Sequence, residues 1–239
     1  MKKPAILIPA YNEGLYIKDV ILECRRYGND IIVVDDGSTD NTREILKSLN
    51  FLSGPRVILI EHETNKGKGE ALKTGFQCAV QNEYCGVVTI DADGQHKVSE
   101  IADFLNAVET YSPDVIVGSR LNNSKGMPFV RLATNVFTSW LISLIAGKRI
   151  SDVQSGFRYL GHNVLKNIKL ETKNFDTEPE MLLRASWMDY KIINIPISTI
   201  YHKNFVSHVN PFKDTLKFFN LVFKSLGWKR RFRRSRTRA

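Results

Sequence analysis

Two carboxylates and an amide oxygen stand together in Asp91-Ala92-Asp93-Gly94-Gln95, directly after the apolar run Gly86-Val87-Val88-Thr89-Ile90. Side chains alternate along an extended chain, so Asp91 and Asp93 can point the same way while Ala92 points away. Gly94 lets the backbone turn, and Gln95 adds a neutral oxygen. Such donors suit a hard divalent cation, Mg²⁺ or Mn²⁺, which also takes waters and phosphate oxygens. A second stretch, Asn65-Lys66-Gly67-Lys68-Gly69, is glycine-rich and basic and opens a helix, whose N-terminus favours anions. Taken alone, each has an ordinary counterpart: an acidic turn after a buried strand, and a helix start.

The elements around them give both a setting. Residues 5–9 read as a buried strand, and residues 14–26 follow with Ile17, Val20, Ile21 and Cys24 at helical spacing. Residues 31–34 form a second strand, ending in Asp35-Asp36-Gly37-Ser38. A helix follows from about Asn41, with Glu44 as a capping-box partner. Strands at 57–60, 86–90 and 115–117 alternate with helices at 68–80 and 98–109. This alternation predicts a mostly parallel sheet covered on both faces, with ligands outside the carboxyl ends of the strands. Glu13, Asp35, Asp36, Asp91 and Asp93 all fall just after strands, and that much acid at one edge calls for a cation. No G-x-G-x-x-G follows the first strand, which ends in Pro9-Ala10-Tyr11-Asn12-Glu13-Gly14, and no GxxxxGK[ST] occurs anywhere.

Nine pieces carry a family resemblance in order: IPAYNEG at 8–14, VVDDGSTDNT at 33–42, NKGKGEALKTGF at 65–76, IDADGQH at 90–96, GSR at 118–120, DVQSGFR at 152–158, FDTEPEMLLRA at 175–185, IPI at 195–197 and SHVNPFKDTLKF at 207–218. Over roughly residues 4–220 the chain resembles the inverting family 2 glycosyltransferases of the GT-A fold, above all the dolichol-phosphate mannose synthase and polyprenyl-phosphate glycosyltransferase branch. The resemblance implies a GT-A domain over 1–210, with a nucleotide-binding half at about 1–120 and an acceptor half at about 121–210. Residues 211–239 would then be a membrane-proximal helical annex, an amphipathic helix and a basic tail.

Site roles follow from the same resemblance. Pro9, Ala10, Tyr11 and Glu13 would line the nucleoside pocket, with Tyr11 on the base or ribose and Asp35 or Asp36 on the base. Lys68 sits where the family's glycine-rich turn approaches the nucleotide, and Asp91, Asp93 and Gln95 would hold the metal bridging the donor diphosphate. Arg120 and Arg131 match positions used on phosphate groups, while Ser155–Arg158 and the Glu178/Glu180 pair line the acceptor side. Arg158 also suits an ordinary ion pair, and Glu178 and Glu180 suit the first turn of a helix. The processive members' Q-x-x-R-W motif is missing, since the only glutamine beyond residue 95 is Gln154, so one sugar per encounter is expected. His62 and His162 read as loop or surface residues, His96 as a neighbour of phosphate, and His202 and His208 as flanking a segment that folds over the site.

With 239 residues, one α/β domain and a small annex are expected. The three cysteines, Cys24, Cys78 and Cys85, form no CxxC, and Met1-Lys2-Lys3-Pro4 does not read as a signal peptide, so a reducing cytoplasm is expected. The net charge of +9 is concentrated at one end: residues 224–239 carry Lys224, Lys229, Arg230, Arg231, Arg233, Arg234, Arg236 and Arg238 and no acid. Phe218, Phe219, Leu221, Val222, Phe223, Leu226 and Trp228 run into that cluster, which suits an anionic membrane face better than nucleic acid. Residues 127–147 are apolar but interrupted by Arg131, Thr134, Asn135, Thr138, Ser139 and Ser143, so an interfacial, substrate-lining or core helix is expected rather than a span.

The expected protein is a metal-dependent (Mg²⁺ or Mn²⁺) glycosyltransferase, peripheral on the cytoplasmic membrane face. It would move a sugar from a nucleoside-diphosphate sugar, GDP-mannose or UDP-glucose by resemblance, to a polyprenyl phosphate. Asp93, Arg120, Arg131, Asp152 and Glu178 are the residues expected to act in transfer. A soluble, glycan or protein hydroxyl acceptor is the alternative, with Asp152, Glu178 or Glu180 as base. A nucleotidyltransferase would leave the SGFR and acceptor-side pieces without purpose, and a nucleic-acid-binding protein would leave the acidic cleft so.

Overall fold

The first strand, β1 (Ala5–Ala10), is buried at all six positions, and its side chains alternate between two cores. Leu7 packs with one cluster and Ile6, Ile8 and Ala10 with the other. A strand buried on both faces belongs inside a sheet that helices cover on each side. The computed structural model describes residues 1–49, 54–121, 127, 129–174, 176–200 and 221–230.

Seven strands make one sheet in the order β3-β2-β1-β4-β6-β5-β7, with β2 at Ile31–Asp35, β3 at Val57–Glu61, β4 at Gly86–Thr89, β5 at Val115–Ser119, β6 at Arg158–Gly161 and β7 at Ile192–Pro196. Helices α1 (Ile17–Cys24), α2 (Thr42–Leu49) and α4 (Ile101–Tyr111) cover one face. The other is covered by α3 (Lys68–Gln81), α5 (Phe129–Ala146), α6 (His162–Asn167), α7 (Thr177–Trp187) and a helix over residues 221–230, here α8. The α/β expectation holds. Strand β6 departs from it, running antiparallel to β4 and β5 with Arg158 opposite Thr89 and Val117.

That reversal positions the site. The parallel strands β1, β2, β4 and β5 all end at one edge, and the reversed strand begins there. The loop 150–157 is thus delivered beside Asp91, with Gly156 against its carboxylate, a placement a parallel strand would deny it. Inward polar residues of α5 pin this loop: Ser139 Oγ accepts the Val153 amide at 3.0 Å, and Ser143 Oγ accepts that of Ile150 at 3.0 Å. Of the polar interruptions in residues 127–147, Asn135, Thr138 and Ser139 are buried, whereas Thr134 is exposed with Val136, Phe137, Trp140 and Leu144.

Helix α8 also departs from expectation. Leu221, Ser225 and Trp228 lie on one face and are buried. The Trp228 indole donates to Glu171 at 2.9 Å, beneath the Arg184 guanidinium. Lys229 donates to the Ile145 carbonyl at the end of α5, at 2.7 Å. Trp228 is thus a core residue and not one that inserts at lipid headgroups. Residues 231–239, Phe218, Phe219, His202 and His208 lie outside the described residues.

Candidate active site

Loops after β1 and β2 form one wall of the site and are stitched to each other. Asn12 takes φ +56 and accepts the Thr39 amide at 2.8 Å, while its own amide donates to Ser38 at 2.9 Å. The Glu13 amide donates to Thr42 Oγ1 at 2.8 Å, and the Gly14 amide donates to Asp40. Asp40 also accepts the Thr42 amide at 3.0 Å at the start of α2, a cap the sequence had placed on Asn41. Pro9 and Ala10 are buried, and Tyr11 is 42% exposed, open to a planar ligand.

Asp35 and Asp36 are buried and already engaged. Asp35 accepts from the Ser38 amide and from Arg43 Nε. Asp36 accepts the Lys66 amide at 3.0 Å and the Gly67 amide at 2.7 Å, and meets His62 Nδ1 at 2.6 Å. His62 lies in the loop after β3, one of the two placements expected for it, but it is buried there and meets Thr74 through its other nitrogen. Gly67 sits at φ +96, in a region that favours glycine. Together these bonds fix the glycine-rich turn and aim Lys68 inward from the first position of α3.

Lys68 Nζ lies 2.7 Å from Asp91 Oδ1 and 3.0 Å from Glu178 Oε1. Burial pulls the ammonium's pKa down, but the two carboxylates hold it above its ordinary value. Burial pulls the Asp91 carboxyl up, yet Lys68 and the His96 contact at 3.3 Å hold it well below the usual range. Among the described residues no cation is in ion-pair contact with Asp93, and Lys68 and His96 act on it only from farther away. Burial and the Asp91 charge raise its pKa, and its oxygens accept the Gln95 amide at 2.9 Å and Gln95 Nε2 at 2.7 Å. Gln95 therefore orients Asp93 here, a use beyond the metal-ligand role expected of it. Glu13 completes the crowding: burial, then Asp93, Asp91 and Asp40, push its carboxyl up to about 7.

Among the described residues no three His, Cys, Asp or Glu side chains converge as a ready-made metal cage. The site still fits a divalent ion of the kind that binds one or two carboxylates plus substrate phosphates. Burial, and then the mutual repulsion of Glu13, Asp91 and Asp93, disfavour charged carboxylates here, and a divalent cation would offset both.

On the acceptor side the expected charges pair with each other. Arg120 holds Asp152 through Nε at 2.8 Å and a terminal nitrogen at 2.9 Å, and its backbone amide adds a third bond at 3.1 Å. Against the upward pull of burial, this keeps the Asp152 carboxyl below its ordinary value. The guanidinium fork expected to meet a phosphate is thus occupied by Asp152. Arg158 is fully buried and donates to the carbonyls of Ser155, Glu178 and Val153, a strut between loop and helix and not an ion pair. Glu180, fully buried, accepts the Glu171 and Thr172 amides, the Thr172 hydroxyl and Arg184 Nε. Arg131 lies in α5, and its side chain is outside the described residues. Removing one partner of a buried pair costs about 3–5 kcal/mol. Arg120→Ala should therefore lower stability by that order in urea unfolding, and a change below about 1 kcal/mol would show that the pair does not hold the loop.

Asn12, Ser38 and Thr42 are parts of this site that the sequence did not single out individually. Their signal was position: each lies within or beside a motif already quoted.

A carboxylate pair at the carboxyl edge of a mostly parallel sheet, with a reversed strand beginning at that same edge, is the architecture of the GT-A fold. Residues 5–176 match the model of glycosyl transferase family 2, and the chain belongs to that family. It is 37% identical over 213 residues to the UDP-N-acetylglucosamine–dolichyl-phosphate N-acetylglucosaminyltransferase of Methanococcus voltae, covering 82% of this chain and 85% of the relative. Over 207 residues it is 28% identical to the polyprenol monophosphomannose synthase of Mycolicibacterium smegmatis, covering 82% and 77%. Glucosyl-3-phosphoglycerate synthase of Mycobacterium tuberculosis, solved with Mn²⁺, UDP and glucosyl-3-phosphoglycerate, shares the fold with a TM-score of 0.68 at 17% identity, over 95% of this chain and 80% of that one.

Proposed function

We propose that this glycosyltransferase moves one sugar from a nucleoside-diphosphate sugar to a polyprenyl phosphate, with inversion, using Mg²⁺ or Mn²⁺ at Asp93 and Asp91. The observation that carries the acceptor is the pairing of every acceptor-side carboxylate named as a base. Asp152 is bound to Arg120, Glu178 to Lys68, and Glu180 to Arg184 and two amides. An alcohol needs a general base to attack, whereas a phosphate is already ionised near pH 7. The names of the relatives from M. voltae and M. smegmatis support the same acceptor class and bring UDP-N-acetylglucosamine among the candidate donors. The metal, when bound, offsets charge on the leaving diphosphate. The chain's own residues do the rest: Asp93, held by Gln95, fixes where the ion sits, and Tyr11 offers its exposed ring to the base. The test supplies UDP-N-acetylglucosamine, UDP-glucose and GDP-mannose with a polyprenyl phosphate or the matching polyprenol. Transfer to the phosphate alone is expected, and equal transfer to the alcohol would overturn this reading.

Such an acceptor lies in a bilayer, and the exposed face of α5 supports contact with an anionic one. Val136, Phe137, Trp140 and Leu144 are between 48% and 66% exposed, and Lys148 and Arg149 follow within a turn. On α8, Phe223 and Leu226 are likewise exposed beside Lys224. No described helix is long and apolar enough to cross a membrane. The exposed apolar and basic side chains support a peripheral contact, which this reading places on the cytoplasmic face. Each large side chain buried in lipid contributes roughly 1.5–3 kcal/mol, and each basic residue near the surface about 1 kcal/mol. Trp140→Glu with Leu144→Glu should release the protein from phosphatidylserine liposomes at moderate salt without lowering Tm. Unchanged co-sedimentation would assign the contact to the basic tail.

A further inference from the structure

We propose that Lys68 is a resident cation of the donor site, occupying Asp91 and tying it to Glu178 until metal and nucleotide arrive together. The inference rests on the metal and donor reading above and concerns how that site is loaded.

Three observations carry it. The Lys68 ammonium touches both Asp91 and Glu178, with side-chain exposures of 22%, 24% and 6%. Glu178 stands in the first turn of α7, whose start is fixed to the acceptor loop by Arg158 donating to the Glu178 carbonyl at 2.8 Å. Lys68 itself is aimed by the Gly67 amide bonded to Asp36, and the Glu70 amide donates to the Lys173 carbonyl ahead of α7. One ammonium therefore joins the donor carboxylate, the glycine-rich turn and the acceptor-side helix.

A divalent ion alone approaches Asp91 against that positive charge. A donor diphosphate offers the ammonium new anionic partners and so frees Asp91 for the metal. Metal and nucleotide should then bind with positive coupling, and linkage makes that coupling equal in both directions.

The test is calorimetric titration of Mn²⁺ alone, UDP alone, and Mn²⁺ with saturating UDP. Wild type should bind Mn²⁺ alone weakly and at least about tenfold more tightly with UDP, a typical coupling strength. Lys68→Met keeps most of the aliphatic stem and removes the charge. It should bind Mn²⁺ alone about tenfold more tightly than wild type, lose most of the coupling, and show a lowered metal-free Tm that Mn²⁺ restores. Glu178→Gln leaves the ammonium wholly on Asp91, so Mn²⁺ alone should bind no more tightly than in wild type. If Lys68→Met does not fold, Glu178→Gln decides: tighter binding of Mn²⁺ alone overturns the proposal. Loss of UDP affinity in Lys68→Met with no gain for Mn²⁺ alone would overturn it too, making Lys68 an ordinary phosphate ligand. A wild type that binds no Mn²⁺ even with UDP would bring down the metal reading as well.

Discussion

Asp93→Ala is expected to lower sugar transfer by about 10³-fold or more, and wild type in excess EDTA should fall to the same level. Lewis-acid stabilisation of a leaving diphosphate supplies several kcal/mol, and about 4 kcal/mol corresponds to three decades in rate. Asp93 is the carboxylate to test because Asp91 already pairs with Lys68 and His96, whereas Asp93 is oriented by Gln95 and crowded by Asp91 with no ion-pair contact among the described residues. The variant should keep the wild-type far-UV spectrum, since Asp93 holds no other element in place through the bonds described. A pH signature accompanies it. Glu13 has its carboxyl raised from 4.5 to about 7, so the folded protein holds more protons than the unfolded chain across that window. Metal-free stability should therefore fall as pH rises from about 4.5 to 7. Removing the Asp93 charge should flatten that fall. Full turnover by Asp93→Ala, or undiminished wild-type activity in EDTA, would remove the metal from the reaction.

Much of the donor side was legible because its signals are local. Short, β-branched apolar runs such as Ile31–Val34 read as buried strands, and the acids that follow them reach the carboxyl edge by topology alone. Strand β6 was hidden, since it opens with Arg158 and its direction depends on partners 69 and 41 residues away, Thr89 and Val117. The partners of Asp36 were hidden for the same reason: His62 is 26 residues distant and Gly67 31. Composition misled where an element has an unusual inside. In α5 the hydroxyls of Ser139 and Ser143 face inward because the loop around Asp152 needs acceptors for its amides, and Val136, Phe137, Trp140 and Leu144 are left outside while Ile142 and Ile145 join the core. Trp228 sits in a basic, aromatic segment, but the spacing of Leu221, Ser225 and Trp228 is that of a helix face turned to the core.

Gly156→Ala should cost transfer at least about 10²-fold, although the added group is a single methyl. Built on the Gly156 backbone, that carbon lies 2.7 Å from Asp91 Cγ and closer still to both carboxylate oxygens. Neither side can give way easily. The Gly156 carbonyl accepts the Thr89 hydroxyl at 2.7 Å, and Arg158 ties the neighbouring Ser155 carbonyl at 2.7 Å. Asp91 is held by Lys68 and His96. The clash must displace the carboxylate, the acceptor loop or both, and a misplacement of about 1 Å at a reacting centre costs on the order of 10²-fold. Overpacking should also lower stability by about 1–3 kcal/mol, which urea unfolding measures. Gly161→Ala is the control, because a methyl there comes no nearer than 3.4 Å to its neighbours, an ordinary contact. It should leave transfer and UDP–Mn²⁺ affinity near wild type. The Gly156 variant should lose both while staying folded, since the contact falls on Asp91 rather than on the core. Wild-type activity in Gly156→Ala would mean that Asp91 can leave this position at no cost, and the close packing of the SGFR loop on it would then play no part in the reaction.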